Sequence, residues 1–137
     1  MDSDALLNER HYSSRMALQL KRAGFPRPSS HCDAHAIISG SHKLAAQMRA
    51  ILAWLKMRID DHHNGCWLPR NITDRVHMPA FLRDAVPHQN VHTKAYYQWL
   101  EHHINPIKIT SLDALVKAFR KIRFSLQSGI VPKNIWS

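Results

Sequence analysis

A short run of small and β-branched residues, Ala34-His35-Ala36-Ile37-Ile38, constrains this fold more than any other stretch. Ahead of it lies Pro26-Arg27-Pro28-Ser29-Ser30, held extended because each proline disfavours helix in the residue before it. Behind it lie Ser39 and Gly40, so the run reads as a strand over 34–38. A strand cannot stand alone, since its backbone donors and acceptors need partners. Cys66-Trp67-Leu68, closed by Pro69, is the segment that answers it. The expectation is a mostly α chain with a small β-hairpin, an α+β fold.

The remaining sequence is written for helices. Residues 3–23 read as one helix, with Ser3 and Asp4 offering a cap and Gly24 placed for a left-handed end. A second helix is expected over 41–58, with Leu44, Met48, Ile51, Leu52 and Leu55 on its core face. Lys43, Arg49 and Lys56 fall on its solvent side. Asp60 to Gly65 is a polar turn, Asn64-Gly65 being a strong turn signal. Loop follows to about Met78, and Pro79 then opens a short helix carrying Phe81, Leu82 and Val86. Residues 93–103 form another helix, rich in Tyr96, Tyr97, Trp99 and Leu100, aromatics that read as core. Thr110 or Ser111 caps a last helix lined by Leu112, Leu115, Val116, Phe119 and Ile122, which Gly129 ends. Trp136 is placed to fold back from the tail.

The 137 residues suit a single domain able to bury one core without staples. Cys32 and Cys66 are too few for a disulfide framework and read as small buried thiols. Lys and Arg number 19 against 10 Asp and Glu, a formal charge of +9. That surplus draws polyanions, with nucleic acid first, an acidic protein second and an anionic membrane surface third. No apolar run approaches the ~20 residues a bilayer span needs, and no signal peptide is visible at Met1.

Chemistry enters with the histidines, eleven in all. His88 and His92, four apart, share one face if the turn ahead of Thr93 is helical. His35, arriving from a strand, makes a third nitrogen and leaves positions open for water and phosphate. His62-His63 and His102-His103 read as surface residues at a turn and a helix end.

Taken in order, Ala34-His35 with Ile37-Ile38-Ser39-Gly40, a helix carrying Arg49, Ile59-Asp60, Asn64-Gly65-Cys66-Trp67-Leu68-Pro69, and His88-x-x-x-His92 before a Tyr-rich helix resemble the AHH family of the HNH (ββα-metal) nuclease superfamily. The resemblance covers about Asp33 to Leu100, leaving the first and last helices outside. It implies a ββα-metal (HNH/His-Me finger) core over 31–104, with an N-terminal helix and linker over 1–30 and a C-terminal helix and tail over 105–137. It implies one divalent ion, Zn, Ni, Mn or Mg, held by His35, His88 and His92. It gives Asn64 the task of bracing the loop beside the catalytic position. Arg49, Lys43 and Arg83 become candidates for phosphate contact. The family's general base, the second histidine of its signature, falls on Ala36.

A methyl group accepts no proton, and a missing general base costs ~10²–10⁴ in rate. Three accounts fit: a deliberate replacement that makes a toxic enzyme producible, a natural inactive relative, or a base supplied by His31, Asp33, His62 or His63. The first is favoured because the surrounding motif is intact. The implied function is a metal-dependent, largely sequence-nonspecific DNase, an antibacterial toxin domain. It would be delivered into a target cell's cytoplasm by a specialised route and checked by an acidic immunity protein. The alternatives are a non-catalytic nucleic-acid-binding module with a structural zinc, and a basic interaction protein with an acidic partner.

Overall fold

The computed structural model describes residues 1–136. The fold class expected from the sequence is borne out: helices surround a two-stranded antiparallel sheet. β1 (Cys32–Ala36) pairs with β2 (Gly65–Pro69) in a register that sets His35 opposite Cys66 and Ala36 opposite Gly65. The strands are not a tight hairpin, because residues 37–64 with their own helix lie between them. Asn64-Gly65 is accordingly no hairpin turn; Asn64 is fully buried and Gly65 opens β2.

β1 begins and ends two residues earlier than its composition suggests. Ile37 and Ile38 are fully buried, yet the ladder has stopped. Their N–H groups donate to the main-chain oxygen of Asn64 and to its side-chain Oδ1, at 2.7 and 2.8 Å. One asparagine thus replaces a ladder rung and turns the chain away.

The N-terminal segment is two helices, α1 (Ser3–Leu7) and α2 (Ser13–Arg22), not one. Asp2, rather than Ser3 or Asp4, caps α1 through the Ala5 N–H. The break between them follows from Asp60. Its buried carboxylate accepts from the Tyr12 N–H at 3.0 Å, from Arg15 Nε at 2.7 Å, and pairs with His11 Nδ1. The chain bends to bring those donors in. Gly24 takes its left-handed turn at φ +98°.

The expected helix over 41–58 is shorter. His42 caps a 3₁₀ turn over Lys43–Ala45, and α3 (Ala46–Trp54) follows. The tighter turn shifts the phase of Leu44, which is 43% exposed instead of core. Lys56, in a left-handed conformation, prevents continuation to Arg58. Arg49 is half-buried rather than solvated, donating to the carbonyls of Ser39 and His42 at 2.9 and 2.7 Å. The loop to Met78 contains a 3₁₀ segment, Ile72–His77, closed by an Asn71/Asp74 capping box.

α4 (Lys94–His103), capped by Thr93, and α5 (Leu112–Ser128), capped by Ser111 and ended by Gly129 at φ +76°, lie where the sequence puts them. Leu115, Phe119, Ile122 and Leu126 of α5 are fully buried. From the same helix Arg123 and Gln127 donate to the outward carbonyls of Gly65 and Trp67, covering the open edge of β2. The tail folds back: Arg75 stacks over Trp136, and Thr93 Oγ1 donates to Ile135 O at 2.6 Å. Both cysteines are free and buried, and burial pushes their thiols up, Cys32 to about 11 and Cys66 to about 12. Neither is a ready thiolate ligand. No helix among the described residues is long and apolar enough to cross a membrane.

Asp60 yields a pH-dependent expectation. Burial pushes its carboxyl up, but His11, the Tyr12 N–H and Arg15 together hold it below the ordinary 3.8. A carboxylate depressed in the fold stabilises fully above its unfolded value, and that contribution drains away as pH falls through the folded value. Asp60→Asn is expected to cost about 1–3 kcal/mol at neutral pH. Denaturant melts should show the gap between variant and parent narrowing below pH 3.8.

Candidate metal centre

Three histidines from two distant parts of the sequence meet beneath the start of α4. His35 stands on β1, His88 opens a 3₁₀ turn over His88–Asn90, and His92 directly precedes the capping Thr93. Their ring centroids are 5.2 Å (His35–His88), 5.8 Å (His35–His92) and 5.5 Å (His88–His92) apart. One nitrogen from each comes within 4.8 Å of the other two.

Each ring has its remaining nitrogen engaged. His35 Nε2 lies 2.8 Å from the Tyr96 hydroxyl, which itself donates to Ile37 O at 2.7 Å. The tyrosine proton being spent there, its oxygen accepts from His35 Nε2–H, and Nδ1 keeps the lone pair. That Nδ1 is buried with no hydrogen-bond partner. A buried orphan acceptor aimed at two other imidazoles fits a metal ion. His88 Nδ1 meets Asp33 Oδ2 at 2.8 Å, a carboxylate–histidine pair that leaves Nε2 free. His92 Nδ1 meets the Tyr97 hydroxyl at 3.1 Å.

The electrostatics suit ligation. Burial, then the charges of His88 and His92, hold His35 well below the ordinary histidine range. Burial, then His88 and His42, lowers His92. Neutral imidazoles are what a cation requires. Burial pushes Asp33 up, but His88 and Arg70 more than offset it, so the orienting carboxylate is ionised.

A cleft of about 580 Å³ opens beside the cluster, walled by His88, His92, Tyr97, Ala36, His42 and His11. Asn64 lies behind it. Its Nδ2 donates to Ile38 O and Ile59 O at 3.2 and 2.8 Å, complementing the bonds its oxygens accept and fixing the chain as it leaves β1. Of the other residues weighed as a base, Asp33 orients His88, His31 pairs with Asp74 and stacks on His77, and His62 and His63 gather at Asp61. None of these four lines the cleft. Lys43 is exposed beside its His42 wall, whereas Arg83 is directed to Met78 O and lies away from it. His11 and Arg10 do line it and were not legible as site residues. The structure seats His11 against Gly40, where an added Cβ would sit 2.6 Å from the His11 Cβ.

Three imidazoles with oriented back sides and one open flank are a donor set that could hold one metal ion. Residues 16–126 match the model of a family described as AHH, a nuclease family of the HNH/ENDO VII superfamily with conserved AHH. The chain belongs to this nuclease family. The match begins in α2 and ends in α5, so it takes in helices that the sequence motifs alone leave outside. Of a conserved Ala-His-His, the run Ala34-His35-Ala36 carries the first two residues. No curated protein and no solved structure is similar enough to match.

If Asp33 fixes the His88 ring, Asp33→Asn should weaken binding of a divalent ion by about 10–100-fold while leaving the fold intact. Competition titration with a chromophoric chelator, alongside circular dichroism, measures both.

Proposed function

We propose that this chain is the nuclease domain of an antibacterial toxin, a metal-dependent and largely sequence-nonspecific endonuclease that hydrolyses DNA phosphodiesters, and that Ala36 leaves it impaired. The observation that carries the reading is the convergence of His35, His88 and His92 beside a cleft whose wall includes Ala36. Imidazole donors favour Zn or Ni over Mg. A divalent ion bound there supplies Lewis-acid activation of the scissile phosphate and stabilises the departing 3′-oxygen. The protein's part is to hold three rings in place through Tyr96, Asp33 and Tyr97, and to keep the loop after β1 rigid through Asn64. In active relatives a histidine at position 36 takes the proton of the attacking water. Here that position presents a methyl group.

Arg10 on the cleft wall and the exposed Lys43 are placed to grip the nucleic-acid backbone, supplying affinity that falls steeply with salt. Arg49, already bonded to two carbonyls, shapes the 39–42 loop instead. The +9 charge suits both DNA and an acidic immunity protein. Delivery into a target cell by a dedicated secretion route completes the proposal.

Ala36→His should raise plasmid cleavage by about 10²–10⁴-fold in the metal-loaded protein. A variant that binds metal and remains inert would sink the assignment. Chelation separates this reading from a structural zinc. The core of Phe119, Leu68 and Tyr96 is assembled by packing, so cleavage should stop while most of the fold survives. Loss of the circular dichroism signal on chelation would favour the structural alternative.

A further inference from the structure

Two imidazoles line the cleft without belonging to the metal cluster, and their partners set them in opposite tautomers. His42 Nδ1 accepts the Leu44 N–H at 3.1 Å as a helix cap, so the proton of the neutral ring sits on Nε2. His11 is the reverse. Its Nδ1 pairs with Asp60, a carboxylate 3% exposed that also accepts from the Tyr12 N–H and Arg15. The Nδ1–H is therefore donated to Asp60, and Nε2 keeps the lone pair. A buried carboxylate holding an imidazole in its basic tautomer is the arrangement by which hydrolases make a general base. The His11 side chain is 26% exposed, and nothing else among the described residues is bonded to its ring.

The seating of His11 is built into the motif that shapes the cleft. Gly40 lies so close that a Cβ there would fall 2.6 Å from the His11 Cβ and 3.2 Å from its backbone nitrogen. Asp60 follows Ile59, whose carbonyl Asn64 holds. The segment bearing His11 is thus locked against the two loops that frame the cluster, and it lies outside the 16–126 stretch that matches the family.

We propose that His11, oriented by Asp60, is a general base for phosphodiester hydrolysis in this chain, standing in where position 36 offers none. The inference rests on the nuclease reading above. As the oxygen of a water molecule bonds to phosphorus, its proton passes to His11 Nε2. The bond from phosphorus to the leaving oxygen breaks, and that oxygen takes a proton from solvent. His42 Nε2–H donates a hydrogen bond to a non-bridging phosphate oxygen.

The informative variant is His11→Asn, whose amide nitrogen can still donate to Asp60 but whose side chain takes up no proton. It is made in the chain as it stands and in the Ala36→His variant. Supercoiled-plasmid cleavage is followed in single turnover with excess metal-loaded protein. The expected result is a loss of about tenfold or more in the Ala36 chain and less than about threefold in the Ala36→His background, because there the second base is redundant. Equal losses in both backgrounds would mean that His11 is only a staple, and would overturn the proposal. So would no loss in either, or an Ala36 chain with no cleavage above blank while Ala36→His cleaves. An inert Ala36→His protein that still binds metal fails the nuclease reading itself, and this inference with it. Independently of turnover, nitrogen-15 NMR of the imidazoles at alkaline pH should find the His11 proton on Nδ1 and the His42 proton on Nε2. A His11 proton on Nε2 refutes the assignment.

Discussion

The hydrogen bond from His35 to the Tyr96 hydroxyl organises the molecule. It joins β1 to α4 through a fully buried contact, and the Ile37 carbonyl behind it forces the proton order along the chain of three groups. Because that order is forced, His35 Nδ1 is left bare toward His88 and His92. An unpartnered buried nitrogen is costly, of the order of 1–3 kcal/mol. The fold accepts that strain at one point and surrounds it with oriented partners, the pattern expected where a protein is built to receive something.

The same economy runs through the neighbouring loops. Asn64 answers three backbone groups with one side chain, and Asp60 gathers three donors from residues 11 to 15. Arg49 pulls the carbonyls of Ser39 and His42 together. These bonds leave little freedom for the cleft wall between Ala36 and His42. Preorganisation of this kind lets oriented groups act without waiting for a rearrangement.

How much of this could be read from the residues depended on range. Helices α4 and α5 were legible because Thr93, Ser111 and Gly129 are local signals and the apolar spacing is regular. The pairing of β1 with β2 was legible because so few segments suit a strand. What escaped were effects of distant partners. Nothing near residue 10 announces that Asp60 will break the first helix, and nothing at Ile37 says that Asn64 will end the strand. The three clustered histidines were picked out by motif order, yet their hydrogen-bond partners, which decide what each ring can do, emerged only in three dimensions. His11 escaped entirely, since a lone histidine in a polar stretch carries no periodicity and no motif.

The Thr93 hydroxyl has two duties. It accepts the Tyr96 N–H to begin α4, and it donates to the carbonyl of Ile135 near the far end of the chain. His92 is its immediate neighbour in sequence. The C-terminal tail is therefore fastened one residue beyond a member of the histidine cluster, by the same side chain that begins α4.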